Sequence, residues 1–162
     1  MKILLYATEN SRNLGSIVRT SAAFGIERIH LYDRFGILDS EDSLRGISET
    51  SMGHDSTVEI VSVDDAVKFA DQYEHRFATT LAKGSRRLGD PKYDVEIPED
   101  ALIMFGNETR GLPRELSRRS GIRKIVIPTR GMDYCLSLPV AYAVVLWEFL
   151  RQHPDKLPQR GK

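Results

Sequence analysis

Short, largely apolar runs alternate with stretches of helical periodicity along this chain of 162 residues. The runs predicted to be strands are residues 2–7, 28–32, 56–61, 76–81, 101–105 and 124–127. The segments predicted to be helices are residues 13–24, 64–72 with Asp64 as N-cap, 113–119 and 138–152, and the polar segment 35–53 is predicted to be a long loop. Short apolar strands separated by helices are typical of a parallel sheet with helices on both faces. We therefore expect a single α/β domain over residues 1–152, followed by a basic tail at residues 153–162.

The composition excludes several classes of protein. The longest apolar run, residues 138–150, contains Pro139 and Glu148, so we expect no membrane-spanning helix. Cys135 is the single cysteine, which permits no internal disulfide and is typical of a reducing compartment, so we expect a cytoplasmic protein. We expect no metal site, because one cysteine and scattered histidines lack metal-ligand spacing; the histidines are His30, His54, His75 and His153.

The formal net charge is zero, but the charges are segregated along the chain. Residues 38–65 carry eight carboxylates against one arginine, whereas residues 110–130 carry seven cationic side chains against one carboxylate. A neutral protein with this asymmetry can offer one basic surface to phosphate groups. The alternative is that both charge runs are the solvated faces of unrelated elements.

The closing helix, predicted at residues 138–152, is apolar nearly all round and is interrupted chiefly by Glu148. A helix at the surface of a monomer normally shows a wide polar face. We therefore expect this helix to pack on the sheet with one side and on a second copy of the chain with the other, which predicts a homodimer. The alternative, a fully enclosed helix, is hard to build in one small domain.

The stretch MFGNETRGLP, residues 104–113, breaks a predicted core strand abruptly. A plain turn needs one glycine or asparagine for positive φ, yet a carboxylate and an arginine accompany the glycines here. Unusual loops also follow the strands that end at residues 81 and 127, and ligands of parallel sheets bind beyond the carboxyl ends of strands. These loops therefore predict a ligand site. The GxGxxG and GxxxxGK[ST] signals are absent, and Ser137 lacks the GxSxG context of an acyl-transfer nucleophile.

Three stretches resemble, in order and spacing, the signature motifs of the SpoU/TrmH branch of the SPOUT superfamily. They are NLGSIVRTSAAFG (13–25), LIMFGNETRGLP (102–113) and KIVIPTRGMDYCLSLPVAYAVVLWE (124–148). The resemblance covers the chain to about residue 152 and implies an S-adenosylmethionine-dependent RNA 2′-O-ribose methyltransferase. It also implies the SPOUT fold, in which the last third of the chain forms a deep trefoil knot that binds the methyl donor. In length the chain is similar to the small enzymes that modify the tRNA wobble position.

The resemblance implies roles for individual residues. The positions expected to bind S-adenosylmethionine are Thr80, Gly106, Ile127, Ser137 and Leu138. The positions expected to form the catalytic site are Asn13, Arg19 and Glu108. The RNA, a tRNA or an rRNA, is expected to contact Arg110, Arg114, Arg118 and Arg119. Without the family match, Gly106 is an ordinary turn glycine, and Glu108 is a helix cap or the ion-pair partner of an arginine.

Arg19 matches the arginine that the family associates with activation of the ribose 2′-hydroxyl. A hydroxyl is a poor nucleophile until its proton is removed, and an arginine in an ordinary site is far too basic to remove it. Two roles therefore stay open. Arg19 is a base in an unusual environment, with an RNA phosphate as proton relay, or it is a cation that orients the phosphate. A solvated arginine also fits its position, one residue past the apolar stripe of the helix.

Position 139 departs from the family pattern, which is Ser-Leu/Met-Asn, because this chain has Ser137-Leu138-Pro139. Asparagine would offer a donor and acceptors to the site, whereas proline offers neither and lacks a backbone N–H. Either Tyr134 or Asp133 orients the hydroxyl instead, or activity is weakened or lost. A methyltransferase is therefore the predicted function. The alternatives are a knotted protein that binds RNA or S-adenosylmethionine without turnover, and a flavodoxin-like binder, which leaves the three motifs unexplained.

Overall fold

The computed structural model describes residues 1–90, 95–131 and 135–157, and in these parts of the chain seven strands form one sheet. The strands are β1 (Lys2–Tyr6), β2 (Arg28–Tyr32), β3 (Glu59–Ser62), β4 (Arg76–Thr79), β5 (Arg86–Arg87), β6 (Leu102–Phe105) and β7 (Ile122–Val126). Their order is β3-β2-β1-β6-β4-β7-β5, and every neighbouring pair is parallel. The predicted parallel sheet is therefore confirmed. The trefoil knot that the family resemblance implies stays a prediction.

Helices cover both faces of this sheet, as predicted. They are α1 (Ser11–Ala23), α2 (Glu41–Ser51), α3 (Ala66–Ala70), α4 (Arg114–Ser117) and α5 (Leu138–Gln152). The larger core cluster joins one face of the sheet to α1, α2 and α5 through residues such as Ile17, Ile47 and Val145. A smaller cluster around Met104 and Leu116 joins the other face to α3 and α4.

One buried polar contact fixes α1 against α5. The hydroxyl oxygens of Tyr142 and Ser21 lie 2.7 Å apart, and both side chains are fully enclosed. Burial raises the pKa of the Tyr142 phenol, so it stays neutral and can share this hydrogen bond. Because α1 and α5 both border the site described below, this contact sets the position of one site element relative to the other.

The segment predicted to be a long loop, residues 35–53, contains α2, so that prediction is wrong. The hydroxyl of Ser40 accepts a backbone hydrogen bond in the first turn and caps the helix. The helix packs closely on α1, because a Cβ atom on Gly15 would overlap the backbone of Ile47. The buried residues of α2 are Gly46, Ile47 and Ser51. Ile47 is the one large buried side chain of α2, and the rest of the helix is rich in serine and charged residues, so apolar runs in the sequence do not reveal it.

Other predicted boundaries differ from the structure by a few residues. α1 begins earlier than predicted because the side chain of Asn10 caps it. β3 begins at Glu59, since a 3₁₀ turn (His54–Ser56) occupies the start of the predicted strand. Asp65 caps α3, whereas Asp64 was the predicted cap. The short strand β5 was not predicted, because its two arginines resemble a polar loop.

α5 has the predicted bounds and, as predicted, packs on the sheet with one side. Its buried side chains are Leu138, Tyr142, Val145, Leu146, Phe149 and Leu150. On the opposite side Val140, Val144 and Trp147 are 38 to 50% exposed, and Trp147 contacts the ring of Phe24 beyond the end of α1. Within the described residues, no helix combines the length and the apolar character needed to cross a membrane.

The segment predicted to be a frayed tail begins with an ordered 3₁₀ turn (Pro154–Lys156). The ammonium of Lys156 lies 2.8 Å from the carboxylate of Glu99, and this hydrogen bond lowers the pKa of Glu99. Glu99, His153 and Asp155 are close enough to share a metal ion. However, Glu99 already pairs with Lys156, and Nε2 of His153 lies 2.7 Å from a backbone carbonyl. These contacts use Oε2 of Glu99 and Nε2 of His153, whereas Oε1 of Glu99 and Nδ1 of His153 lie 3.9 Å apart.

Candidate active site

A cavity of about 620 Å³ opens at the carboxyl ends of β4, β6 and β7. Its walls are the loops that follow these three strands together with the start of α5. Cavities of a few hundred to about 1,000 Å³ are usual for cofactors, and ligands of open parallel sheets bind at this edge. The structure therefore brings together the three loops from which the sequence predicted a ligand site.

All five residues predicted to bind the cofactor line this cavity: Thr80, Gly106, Ile127, Ser137 and Leu138. The hydroxyl of Thr80 accepts a hydrogen bond of 3.2 Å from the backbone N–H of Ala82, so it shapes the loop after β4. The backbone N–H of Thr80 donates to the carbonyl of Ile125, which ties this loop to β7. Ser137 precedes α5, and its side chain does not cap that helix.

Gly106 is required by the loop that follows β6. Asn107 and Gly111 exchange backbone hydrogen bonds of 3.2 and 2.8 Å, so the chain turns back on itself directly after Gly106. A Cβ atom on Gly106 would overlap the backbone of Gly111 and of Leu112. The sequence interpretation attributed this glycine to the close approach of a ligand. In the structure the close approach is within the loop, so the shape of the cavity depends on Gly106 even without a ligand.

Asn107, which the sequence analysis did not name, connects this loop to the loop that follows β1. Its side chain is buried, and Nδ2 donates to the carbonyl of Ala7 at 2.6 Å and to the carboxylate of Glu9 at 2.8 Å. Oδ1 accepts from the backbone N–H groups of Thr109 and Arg110 at 3.0 and 2.8 Å. The amide therefore uses both of its donors and both lone pairs of its acceptor. The preference of asparagine for such turns could have indicated its role within the loop. Its contacts with the residues that follow β1 cannot be inferred from the sequence.

Glu108 and Asn13, both predicted to be catalytic, are in contact at the cavity. Oε1 of Glu108 accepts from the side-chain amide of Asn13 at 3.0 Å, and Oε2 accepts from the backbone N–H of Glu9 at 3.0 Å. The interpretation of Glu108 as a helix cap is wrong, because no side chain caps α4. The carboxylate of Glu108 instead holds the start of α1 against the cavity.

Arg19, the third residue predicted to be catalytic, lies apart from the other two. It is exposed on α1 and does not line the cavity of its own chain, whereas Asn13 does. The two residues are six positions apart on α1, which is about 9 Å along its axis. A single chain therefore does not bring Arg19 into the site.

The four arginines predicted to contact RNA are all exposed, but their surroundings differ. Arg110 lines the cavity. The guanidinium of Arg119 lies 2.9 Å from the carboxylate of Asp71, which also pairs with Arg76 at 2.7 Å. Arg119 is thus held in place by an acidic partner that offsets part of its charge.

The cavity combines apolar surface with two charged side chains, Glu108 and Arg110, and so suits a nucleoside that carries a charged tail. Leu88, Phe105 and Val145 provide apolar surface for a base. The turns after β4, β6 and β7 carry backbone N–H and C=O groups that can pair with the edge of that base. The residues present therefore fit S-adenosylmethionine, and the structure defines a parallel α/β protein with a nucleoside pocket at the carboxyl edge of its sheet.

Comparison with known proteins identifies the family. The sequence profile of the SpoU rRNA Methylase family matches residues 1–147. The chain therefore belongs to the SpoU methylase family, as the three motifs predicted. This membership excludes the flavodoxin-like alternative.

Relatives of known name differ in the nucleotide they modify. The chain is 30% identical over 152 residues to the tRNA (cytidine(34)-2′-O)-methyltransferase of Methylovorus glucosotrophus, covering 93% of this chain and 94% of that protein. It is 29% identical over 153 residues to the tRNA (guanosine(18)-2′-O)-methyltransferase of Aquifex aeolicus, covering 91% of this chain and 67% of that protein.

Solved structures share the fold. One that concerns 2-OH methylation of C/U34 on tRNA superimposes with a TM-score of 0.77 and 27% identity, covering 95% of this chain and 96% of that chain. The AdoMet-bound rRNA methyltransferase of Sinorhizobium meliloti superimposes with a TM-score of 0.76 and 26% identity, covering 93% of this chain and 55% of that chain. The predicted fold, cofactor and class, an S-adenosylmethionine-dependent RNA 2′-O-methyltransferase, are confirmed at the level of the family.

Proposed function

We propose that this chain transfers the methyl group of S-adenosylmethionine to the ribose 2′-hydroxyl of nucleotide 34 of a tRNA. The observation that carries the proposal is that one cavity collects the five cofactor positions and the hydrogen-bonded pair of Asn13 and Glu108. Similarity favours nucleotide 34, since the relative that is 30% identical to this chain modifies cytidine 34 and the solved structure with a TM-score of 0.77 concerns methylation of C/U34 on tRNA.

The residues of the chain divide the work of such a transfer. When bound, S-adenosylmethionine supplies an electrophilic methyl group that a ribose oxygen can take by direct displacement. In our proposal Gly106 and Ile127 hold the adenosine through their backbones, and Thr80, Ser137 and Leu138 complete the pocket. Glu108 holds the amide of Asn13 at the cavity, where it orients the ribose. Arg19, as a cation, neutralises the adjacent phosphate and stabilises the ribose oxygen while the hydroxyl loses its proton to solvent.

The position of Arg19 leads us to include a homodimer in the proposal. The exposed apolar side of α5, formed by Val140, Val144 and Trp147, lies beside α1 and starts next to the cavity, which Leu138 lines. A second copy that covers this side would lie close to the cavity. Arg19 of that copy, which is exposed on its own α1, could then complete the site.

Transfer is tested with labelled S-adenosylmethionine and two versions of one tRNA. The unmodified transcript should accept about one methyl group per molecule, because one ribose is the target. The matched control carries a 2′-deoxyribose at nucleotide 34, which removes the nucleophilic oxygen and should abolish transfer. Methylation that persists on the deoxy transcript would show that another nucleotide is the target.

Cys135 provides a test of the cofactor site that does not require turnover. It is the single cysteine of the chain, it is exposed, and it lines the cavity. Such a free thiol suits the reducing cytoplasm in which we place the protein. S-adenosylmethionine at ten times its Kd should slow alkylation of Cys135 by N-ethylmaleimide roughly tenfold, since only the free protein reacts. Equal amounts of methionine serve as the control, and tight binding without protection would place the cofactor elsewhere.

Pro139 supports a second candidate function, binding without turnover. It stands in the first turn of α5, directly after Leu138, and offers no amide to the site. The suggested replacements, Tyr134 and Asp133, lie outside the described residues. If S-adenosylmethionine and tRNA both bind but no methyl group is transferred, this second candidate is correct and the first is wrong.

A further inference from the structure

A second groove, of about 360 Å³, lies beside the cofactor cavity. Its cationic lining residues are Lys83, Arg118, Arg119 and Lys124, and none of its lining residues is acidic. Ala82 lines both the groove and the cofactor cavity, so the two are immediate neighbours. We call this feature the basic groove.

The basic groove is held together by specific contacts between distant parts of the chain. The ammonium of Lys124 on β7 donates a hydrogen bond of 2.9 Å to the backbone carbonyl of Lys83. Gly84 makes the turn after Lys83 with a φ of +82°, and a Cβ atom there would lie 3.6 Å from that ammonium. Beyond the turn, β5 pairs with β7. The loop that carries Lys83 is therefore fixed against β7 at two points.

The opposite wall of the groove is also fixed in place. Arg118 and Arg119 follow directly after α4, and Asp71 holds the guanidinium of Arg119 at 2.9 Å. Arg118 is exposed, as is Lys83. Two of the four cations, Lys124 and Arg119, are thus anchored by contacts within the protein, and the other two, Lys83 and Arg118, are exposed.

We propose that the basic groove binds a phosphodiester of the tRNA strand beside the nucleotide that enters the cofactor cavity. A concave site lined by four cations and no carboxylate attracts a polyanion. Contacts with phosphates fix the register of a nucleic acid without reading its sequence. Because Ala82 separates the two sites, one strand can occupy both, and a phosphate held in the groove presents the neighbouring ribose to the cavity. The inference rests on the proposed function.

This inference changes the set of residues expected to contact RNA. Lys83 was not predicted, because it lies outside the basic run of residues 110–130. The sheet brings it there by placing β5 and β4 on either side of β7. Arg114, which was predicted, does not line the groove. We expect Arg114 to contribute less to binding than Lys83.

The test removes the two exposed cations other than the one that Asp71 anchors, with the double substitution Lys83→Gln and Arg118→Gln. Lys124 is left intact because its ammonium holds the loop. We expect the affinity for the tRNA to fall roughly tenfold or more, and the slope of log K against log salt to become shallower by about two. KM for tRNA should rise while kcat at saturating tRNA stays close to that of the wild type. Affinity for S-adenosylmethionine should not change.

Two further variants keep the result interpretable. Arg45→Gln removes a cation that is exposed on α2 and does not line the groove, so tRNA affinity should stay within about twofold of the wild type. Lys83→Arg keeps the charge and should retain most of the affinity and the full salt slope. Wild-type affinity and salt slope in the folded double variant would overturn the groove proposal. Failure of the wild type to methylate or bind any tRNA would instead overturn the proposed function.

Discussion

Replacing Gly106 with valine is expected to lower the affinity for S-adenosylmethionine at least 100-fold, which corresponds to about 2.7 kcal/mol. The side chain would overlap the backbone of Gly111 and Leu112. The loop must then open, which breaks the backbone hydrogen bonds between Asn107 and Gly111. Because Glu108 lies in the same loop and holds Asn13, the cavity would lose both its floor and its polar rim.

Calorimetry with S-adenosylmethionine measures this loss, and thermal unfolding shows whether the variant is folded. Gly53→Ala is the matched control, because Gly53 does not line the cavity and a Cβ atom there meets nothing within 4 Å. Its φ of +82° makes alanine strained by about 1–2 kcal/mol, so this control loses stability without losing the cofactor. Unchanged binding in a folded Gly106→Val variant would show that this loop does not form the cofactor site.

The sequence predicted correctly those helices and strands that have a strong local signal, such as a long apolar run or a capping residue. The bounds of α5 were correct because a long apolar run has clear ends, with Pro139 in its first turn. The helix α2 was missed because it is rich in serine and charged residues, with Ile47 as its one large buried side chain, and because its close approach to α1 depends on Gly15 and Gly46. The strand β5 was missed because its two residues are stabilised by pairing with β7, a contact between distant parts of the chain.

The candidate site shows the same division between local signals and long-range contacts. The family motifs placed Gly106 and Glu108 in the site, and the structure brings both to the cavity. The motifs did not indicate that Gly106 is needed for the path of its own loop. They also gave no reason to name Asn107, whose bonds to Ala7 join residues 100 positions apart. The position of Lys83 in the basic groove depends on the order of the strands in the sheet, which the local sequence does not show.

Arg19→Ala is expected to leave the affinity for S-adenosylmethionine unchanged and to lower methyl transfer by about 10²–10³-fold, the usual effect of losing one positioned electrostatic group. Arg19 does not line the cavity of its own chain, so it should not contribute to binding of the cofactor there. Its contribution should arise mainly in the transition state, so kcat should fall while KM for S-adenosylmethionine stays constant. A matched substitution, Arg12→Ala, removes another exposed arginine of α1, one that pairs with Glu49 instead, and should reduce transfer far less.

Mixing two inactive variants distinguishes a site shared between subunits from a site within one chain. An Arg19→Ala subunit keeps an intact cofactor cavity, whereas a Gly106→Val subunit keeps Arg19. In a mixed dimer one composite site would contain both native residues. Random exchange makes half of the dimers mixed, with one active site of two, so activity should return to roughly a quarter of the wild-type value. If exchange is verified by mass spectrometry and no activity returns, Arg19 does not complete the site of the partner. Arg19 must then act within its own chain, or the loss of transfer in Arg19→Ala comes from a general effect of removing an arginine from α1. In the second case Arg12→Ala should lose transfer as well.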